Sequence, residues 1–468
     1  MKKLFFAIFL GCAGFSVSAQ QHSEQHHVNY MTPKDPAVLA KLQQWQGIKF
    51  GLLMHWGTYS QWGIVESWSL CPEDEGWCER RGPYAADWHE YKKAYEGIAK
   101  TFNPTRFNPD RWAAAAKAAG MKYVVFTTKH HDGFCMFDTK QTDYKITNTP
   151  FGSNPKANVA KEVFKSFRDQ GFMVGAYFSK PDWHTEEYWW KYFPPKDRNS
   201  SYDPKKYPQH WDKFKQFTYN QIEELMSDYG KMDILWLDGG WVRPFSSIDT
   251  TVSWQKAIPF DQDIDMARIA GMARQHQPGL LVVDRTVTGE FENYVTPEQT
   301  IPSTALSFPW ESCVTMGDSW SYIPKENFKS TRKLVHLLVD IVSKGGNLLL
   351  NIAPGPDGEW HEEAYQRLQE IGAWMNVNSE AIYETTPVAP YQDGKWAFTK
   401  KGNITYALYR ADEGESLPAS LEMPFSFSKA RLLGTKDILK AQGKGIKLTD
   451  TFRKKVTASP VYVFRLEP

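Results

Sequence analysis

Beyond its first residues the chain has no long apolar run. Leu4 to Leu10 is too short to span a bilayer and no later segment is longer, so no membrane span is expected. Net charge is equally lacking: 55 Lys and Arg stand against 54 Asp and Glu, leaving +1 at pH 7. That balance removes the electrostatic case for a nucleic-acid partner or an anionic membrane surface. Cysteine is scarce, with five in 468 residues, too few for a disulfide-built fold. No Cys-x-x-Cys pair and no helically spaced His complete a zinc pattern. No glycine-rich phosphate loop follows the first strand, which disfavours an open nucleotide-binding sheet. Internal repeats and low-complexity tracts are missing too.

What the chain has in quantity is aromatic: 19 Trp, 22 Tyr and 28 Phe. Aromatic faces stack on the C–H faces of sugars as well as filling cores, so carbohydrate is the first ligand class to test. Residues 1–19 read as a signal peptide, with Lys2 and Lys3, a short apolar stretch, and Val17-Ser18-Ala19 before the cut. Export to a periplasm is the expectation, and lipid attachment at Cys12 is the lesser alternative. Of the remaining thiols, Cys71 and Cys78 are spaced to bridge one loop in an oxidising compartment.

At 468 residues the chain is too long for one core. Apolar and β-branched runs at 50–54, 123–128, 173–179, 234–237, 280–283 and 347–351 read as strands. Helices are expected near 35–45, 87–95, 111–119, 159–169, 214–229, 263–275, 329–343 and 362–375. Strand, polar loop, helix recurs at least five times, which predicts a (β/α)8-like TIM barrel over residues 20–384. After about Thr385 the pattern changes to short alternating runs at 396–399, 405–409, 430–433 and 461–464. These predict a C-terminal β-sandwich over 385–468.

A barrel gathers its strand ends on one rim, however far apart they lie in the chain. Asp238 ends an apolar run and is followed by Gly239 and Gly240, which free the backbone for a loop close to a ligand. Other strand ends supply His55 and Trp56; His130, His131 and Asp132; Tyr177; and Arg285. Trp236, two residues before Asp238, shares its face and serves equally as a core wedge. His130 and His131 point to opposite sides if their strand persists. Imidazoles, a cation and aromatic platforms around a carboxylate suit a neutral polyol such as a sugar. Cleaving a glycosidic bond requires a second carboxyl group. Glu66, Glu290, Glu292, Glu298 and Glu311 are the candidates, and composition does not choose among them. Two rivals remain: a sugar-binding protein without turnover, and a metal-dependent barrel hydrolase using His55, His130, His131 and Asp238 as ligands.

His55-Trp56-Gly57, Lys129-His130-His131-Asp132-Gly133-Phe134, Trp236-Leu237-Asp238-Gly239, Asp284-Arg285, Thr296-Pro297-Glu298 and Asn378-Ser379-Glu380-Ala381-Ile382-Tyr383 together resemble the α-L-fucosidases of glycoside hydrolase family 29. The resemblance runs from about residue 36 to the end. It implies a retaining exo-α-L-fucosidase acting on fucosylated glycans, with a catalytic barrel, a β-sandwich, and no metal or cofactor. By that resemblance Asp238 is the nucleophile and Glu298 the acid/base. His55, His130, His131 and Arg285 bind fucose hydroxyls, Tyr177 lies beside the nucleophile, Trp236 lies against the sugar, and Glu66 binds the sugar. Ser67 departs from the pattern, standing between Glu66 and Trp68 where many members read Glu-Trp directly. Linkage preference and oligomeric state carry no signal in the sequence.

Overall fold

The computed structural model describes residues 30–72 and 78–468. The leader and Cys12 lie outside the described residues. Seven parallel strands form one curled sheet: β1 (Phe50–Met54), β2 (Tyr123–Lys129), β3 (Met173–Ser179), β4 (Ile234–Asp238), β5 (Leu281–Asp284), β6 (Glu311–Thr315) and β7 (Asn347–Asn351), in the order β5-β4-β3-β2-β1-β7-β6. Helices cover its outer face, as the alternation of strands and helices requires. Strand periodicity sorts the side chains. Leu235 and Leu237 of β4 face the helices with Val124, Phe126, Val174 and Leu350. Ile234 and Trp236 face the barrel interior with Val125, Tyr177, Val283 and Leu349.

The expected eighth strand is not regular. Between β5 and β6 stands the segment 291–299, bonded to both neighbours. Asn293 N–H donates to Val282 O at 3.0 Å on one side, and Glu311 N–H donates to Val295 O at 2.8 Å on the other. Pro297 has no N–H to give a ladder, so the segment pairs only through isolated bridges, among them Glu298 with Cys313. That bridge delivers Glu298 to the rim beside β6. β6 itself, Glu311–Thr315, is not among the strands expected from apolar runs.

Helix Pro36–Ile48 is started by Asp35, whose side chain accepts the Ala37 N–H. It places Trp45 under the barrel, stacked on Tyr294 with centroids 3.9 Å apart. Asp87 and Asn108 cap two later helices in the same way. Among the described residues no helix is long and apolar enough to cross a membrane.

From Thr386 onward the chain is antiparallel. β8 (Thr386–Asp393), β9 (Trp396–Lys401), β10 (Ile404–Arg410), β12 (Lys429–Leu432), β13 (Leu439–Lys440) and β15 (Val461–Glu467) make one sheet. β11 (Ser420–Glu422) and β14 (Gly445–Lys447) form the smaller second layer. Phe398, Tyr409, Phe464 and Leu466 pack against Leu421 and Ile446 between the layers. The opposite face, with Leu408, Val461 and Val463, joins the barrel core instead. Trp374 Nε1–H donates to Val461 O at 2.9 Å across that junction. All four described cysteines are free thiols, so Cys71 and Cys78 do not form the expected bridge.

Candidate active site

Asp238 is the last residue of β4. Gly239 continues in the left-handed region at φ 84°, and a Cβ there would meet Pro181 Cδ at 2.2 Å. Only glycine satisfies both conditions, so the chain leaves the strand sharply and exposes the carboxylate. Tyr177 O–H donates to Asp238 Oδ2 at 2.6 Å, and Arg285 Nη1 donates to Oδ1 at 2.9 Å. His131 Nε2 lies 3.9 Å from Oδ2. Burial alone would raise the pKa of Asp238. The Arg285 charge, the histidines and the Tyr177 hydrogen bond outweigh it and hold the carboxyl well below the usual range. Asp238 is therefore a carboxylate at any physiological pH.

Arg285 follows β5 and uses its second terminal nitrogen on Glu298: Nη2 donates to Oε2 at 2.8 Å. One guanidinium thus ties the two acids together. The Glu298 side chain keeps 43% exposure, against 20% for Asp238, so it is the more open to an incoming ligand. The other candidates do not share this position. Glu290 is exposed at the surface. Glu292 is buried, accepts the Thr286 N–H at 3.1 Å, and is pushed up to about 8 by burial. Glu311 opens β6 and is wholly buried inside the barrel. Of the five carboxylates left open by composition, Glu298 alone pairs with the cation that holds Asp238.

The histidines surround this pair. β2 ends at Lys129, so His130 and His131 lie beyond the pleat and do not diverge as a continued strand would require. Their rings converge to a centroid separation of 4.1 Å. Gly133 makes that turn at φ 79°, where a Cβ would meet Asp182 Oδ1 at 2.3 Å. His130 Nδ1 bonds Ser67 Oγ, and His131 Nδ1 bonds Ser179 Oγ at 2.7 Å. His55 Nδ1 bonds Asn351 Oδ1 at 2.9 Å. Burial lowers all three imidazoles, His55 and His131 to about 4, so they are neutral hydrogen-bonding groups.

Glu66 is buried, and burial first, then the nearby Glu298 and Asp238, pushes it up to about 8. Its Oε1 has no hydrogen-bond partner among the described residues. Trp236 is covered rather than open: Arg285 lies 4.4 Å above its ring and Tyr177 stacks at 5.3 Å. Asp132 accepts the Tyr95 O–H at 2.8 Å in the core beneath the histidines. Trp68 and Trp241 stand edge-on to His131 at 5.0 and 5.1 Å, and Trp320 lies 5.3 Å from His55.

Sequence reasoning missed Asn351, Ser67, Ser179 and Trp320 as members of this cluster. Asn351 was findable, because it ends β7 as Asp238 ends β4. Ser179 carries the same signal, because it ends β3, and Ser67 stands out only as the departure from the family pattern.

His130, His131 and Asp238 offer ligand atoms within 4.8 Å of one another. Both Asp238 oxygens are already engaged, one by the Tyr177 hydroxyl and one by the Arg285 guanidinium, which already supplies the carboxylate with a cation. The donor set fits a hydrogen-bonded pocket better than a metal centre.

The profile of the family described as Alpha-L-fucosidase matches residues 17–380. The chain belongs to that family. It is 27% identical over 379 residues to plasma alpha-L-fucosidase of Homo sapiens, covering 77% of this chain and 74% of that one. Tissue alpha-L-fucosidase of Homo sapiens is 26% identical over 460 residues, covering 93% and 89%. Among solved structures, alpha-L-fucosidase isoenzyme 1 from Paenibacillus thiaminolyticus superposes with a TM-score of 0.73 at 28% identity, over 92% of this chain and 99% of that one. The Thermotoga maritima alpha-fucosidase in complex with fucose gives 0.68 at 26%, over 91% and 96%.

Proposed function

We propose that this protein is a retaining exo-α-L-fucosidase that releases terminal α-L-fucose from fucosylated glycans. The observation that carries the reading is the Arg285 clamp, which holds Asp238 and Glu298 at the mouth of the barrel. Asp238, permanently ionised, attacks the anomeric carbon while Glu298 protonates the departing oxygen. A fucosyl ester forms on Asp238. Glu298 then takes a proton from water, and the ester is hydrolysed with net retention. Neutral His55, His130 and His131 hydrogen-bond the sugar hydroxyls without adding charge. Glu66, protonated at neutral pH, donates to a further hydroxyl. Binding of fucose by the T. maritima relative and its capture with a mechanism-based inhibitor support this assignment.

The same proposal places the enzyme outside the inner membrane, on the strength of the leader read from residues 1–19. The test is hydrolysis of p-nitrophenyl α-L-fucoside, with the anomer first formed followed by NMR. Prompt release of α-fucose supports the reading. Initial β-fucose, or no turnover across a panel of fucosylated glycans, refutes it.

A further inference from the structure

Glu311 is a buried carboxylate that the mechanism above does not use. It opens β6, is 0% exposed, and faces the barrel interior beneath the cleft. Its two oxygens have separate donors. Tyr123 O–H donates to Oε2 at 2.7 Å, and Trp236 Nε1–H donates to Oε1 at 3.1 Å. No Lys, Arg or His forms an ion pair with it among the described residues. Burying an acid without a paired cation is costly, and burial pushes its pKa up to about 7. A leucine in the same place would pack more cheaply, so the hydrogen bond to Trp236 calls for a reason.

Trp236 supplies one. Its indole is the plate on which both of Asp238's partners rest. Arg285 Cζ lies 4.4 Å above the ring, and Tyr177 stacks on it with centroids 5.3 Å apart. Those two side chains make the 2.9 and 2.6 Å hydrogen bonds to Asp238, and Arg285 also holds Glu298. An indole has a single polar atom, so the bond made by Nε1 fixes where the ring can turn. A swing of the ring would shift Arg285 and Tyr177 together.

We propose that Glu311 is a positioning residue for the reaction. By holding Trp236 Nε1 it fixes the plate under Arg285 and Tyr177, and so the placement of Asp238 and Glu298, without touching substrate. This inference rests on the reading of Asp238 as nucleophile and Glu298 as acid/base.

The test compares the full-length protein with Glu311→Ala, Glu311→Gln, Trp236→Phe and the Glu311→Ala/Trp236→Phe double variant on p-nitrophenyl α-L-fucoside. Misplacing reacting groups lowers turnover more than binding, so kcat of Glu311→Ala should fall about 10–100-fold while KM stays within about threefold. Glu311→Gln keeps an acceptor for the indole and should regain most of the lost kcat. Trp236→Phe keeps a ring under Arg285 but removes the N–H donor together with the second ring, so its loss should be at least that of Glu311→Ala. If the two act through one bond, the double variant should be no slower than the worse single.

A folded Glu311→Ala with wild-type kcat, or losses that multiply in the double variant, overturns the proposal. Should Glu311→Ala fail to fold, Trp236→Phe decides: a kcat within about twofold of wild type overturns the proposal. A wild-type protein inert on every α-L-fucoside removes the functional reading itself, and this inference with it. An active wild type with unaffected variants removes the inference alone.

Discussion

Arg285 Nη1 sits 2.9 Å from Asp238 Oδ1 while the same guanidinium reaches Glu298 through Nη2 at 2.8 Å. The planar fork holds the two carboxylates through separate nitrogens at a fixed spacing and angle, which a single ammonium nitrogen does not reproduce. Arg285→Lys should therefore lose both contacts in their present geometry. With each charge-assisted bond worth about 1.5–3 kcal/mol, kcat/KM should drop about 10²–10⁴-fold. Steady-state kinetics on p-nitrophenyl α-L-fucoside checks this, and a drop under about tenfold would show that the clamp is dispensable.

Glu298 is assigned to proton transfer on position, not on sequence order alone. Replacing it with alanine removes the acid and leaves room for a small nucleophile. Glu298→Ala should lose most activity on poor leaving groups, and with p-nitrophenyl α-L-fucoside, whose leaving group departs without a proton, it should regain rate with added azide, giving a fucosyl azide. The product is identified by mass spectrometry and NMR. Lack of azide rescue would reassign the role.

Ser67, the residue that departs from the family pattern, bonds His130 Nδ1 inside the core of the site. Removing one such bond costs about 0.5–1.5 kcal/mol. Ser67→Ala should raise KM by about three- to tenfold through a looser His130 and change kcat less. An unchanged KM would mean that the ring is held by packing alone, against His131 at 4.1 Å and Tyr177 at 5.8 Å.

Stability should depend on pH in two opposed ways. His55 and His131 titrate near 4 in the folded chain and near 6.5 when unfolded. Between those values the unfolded state binds more protons, so these groups make stability rise with pH up to about 6.5. Glu66 and Glu292 titrate near 8 when folded and near 4.5 when unfolded. The folded state then binds more protons, and these groups make stability fall as pH climbs from 4.5 to 8. Above pH 6.5 the glutamate effect stands alone. The unfolding midpoint should decline from about pH 6.5 to pH 8, and Glu66→Gln or Glu292→Gln should flatten that decline. Calorimetry across this range reads it directly.

Much of the fold was legible because its causes are local. Apolar runs gave six of the seven barrel strands, and the helices expected from about Asp35 and Asp87 begin directly after those residues, while the one expected from Arg111 begins at Pro109. The barrel rule then gathered His55, His130, His131, Tyr177, Asp238 and Arg285 correctly. What escaped was set by tertiary contact. β6 begins with the buried Glu311, a residue no strand pattern favours, and its neighbour segment 291–299 contains Pro297 and makes no ladder. The convergence of His130 and His131 depends on where β2 stops, which alternation does not reveal. The C-terminal sheet buries both faces of Val461–Phe464, one within its own layers and one against the barrel, and the second contact has no mark in the local sequence. Glu311 looked like a candidate acid from its Trp-rich surroundings and proved to be a partner of Trp236.

The central claim is that Asp238 carries the sugar during turnover. Inactivation with a 2-deoxy-2-fluoro-fucosyl fluoride slows breakdown of the ester enough to isolate it, and peptide mapping by mass spectrometry locates the label. The account predicts one fucosyl group per chain, attached to Asp238, with no label on an Asp238→Ala variant. A label on any other residue, or complete turnover without a trapped ester and with inverted product, would contradict it.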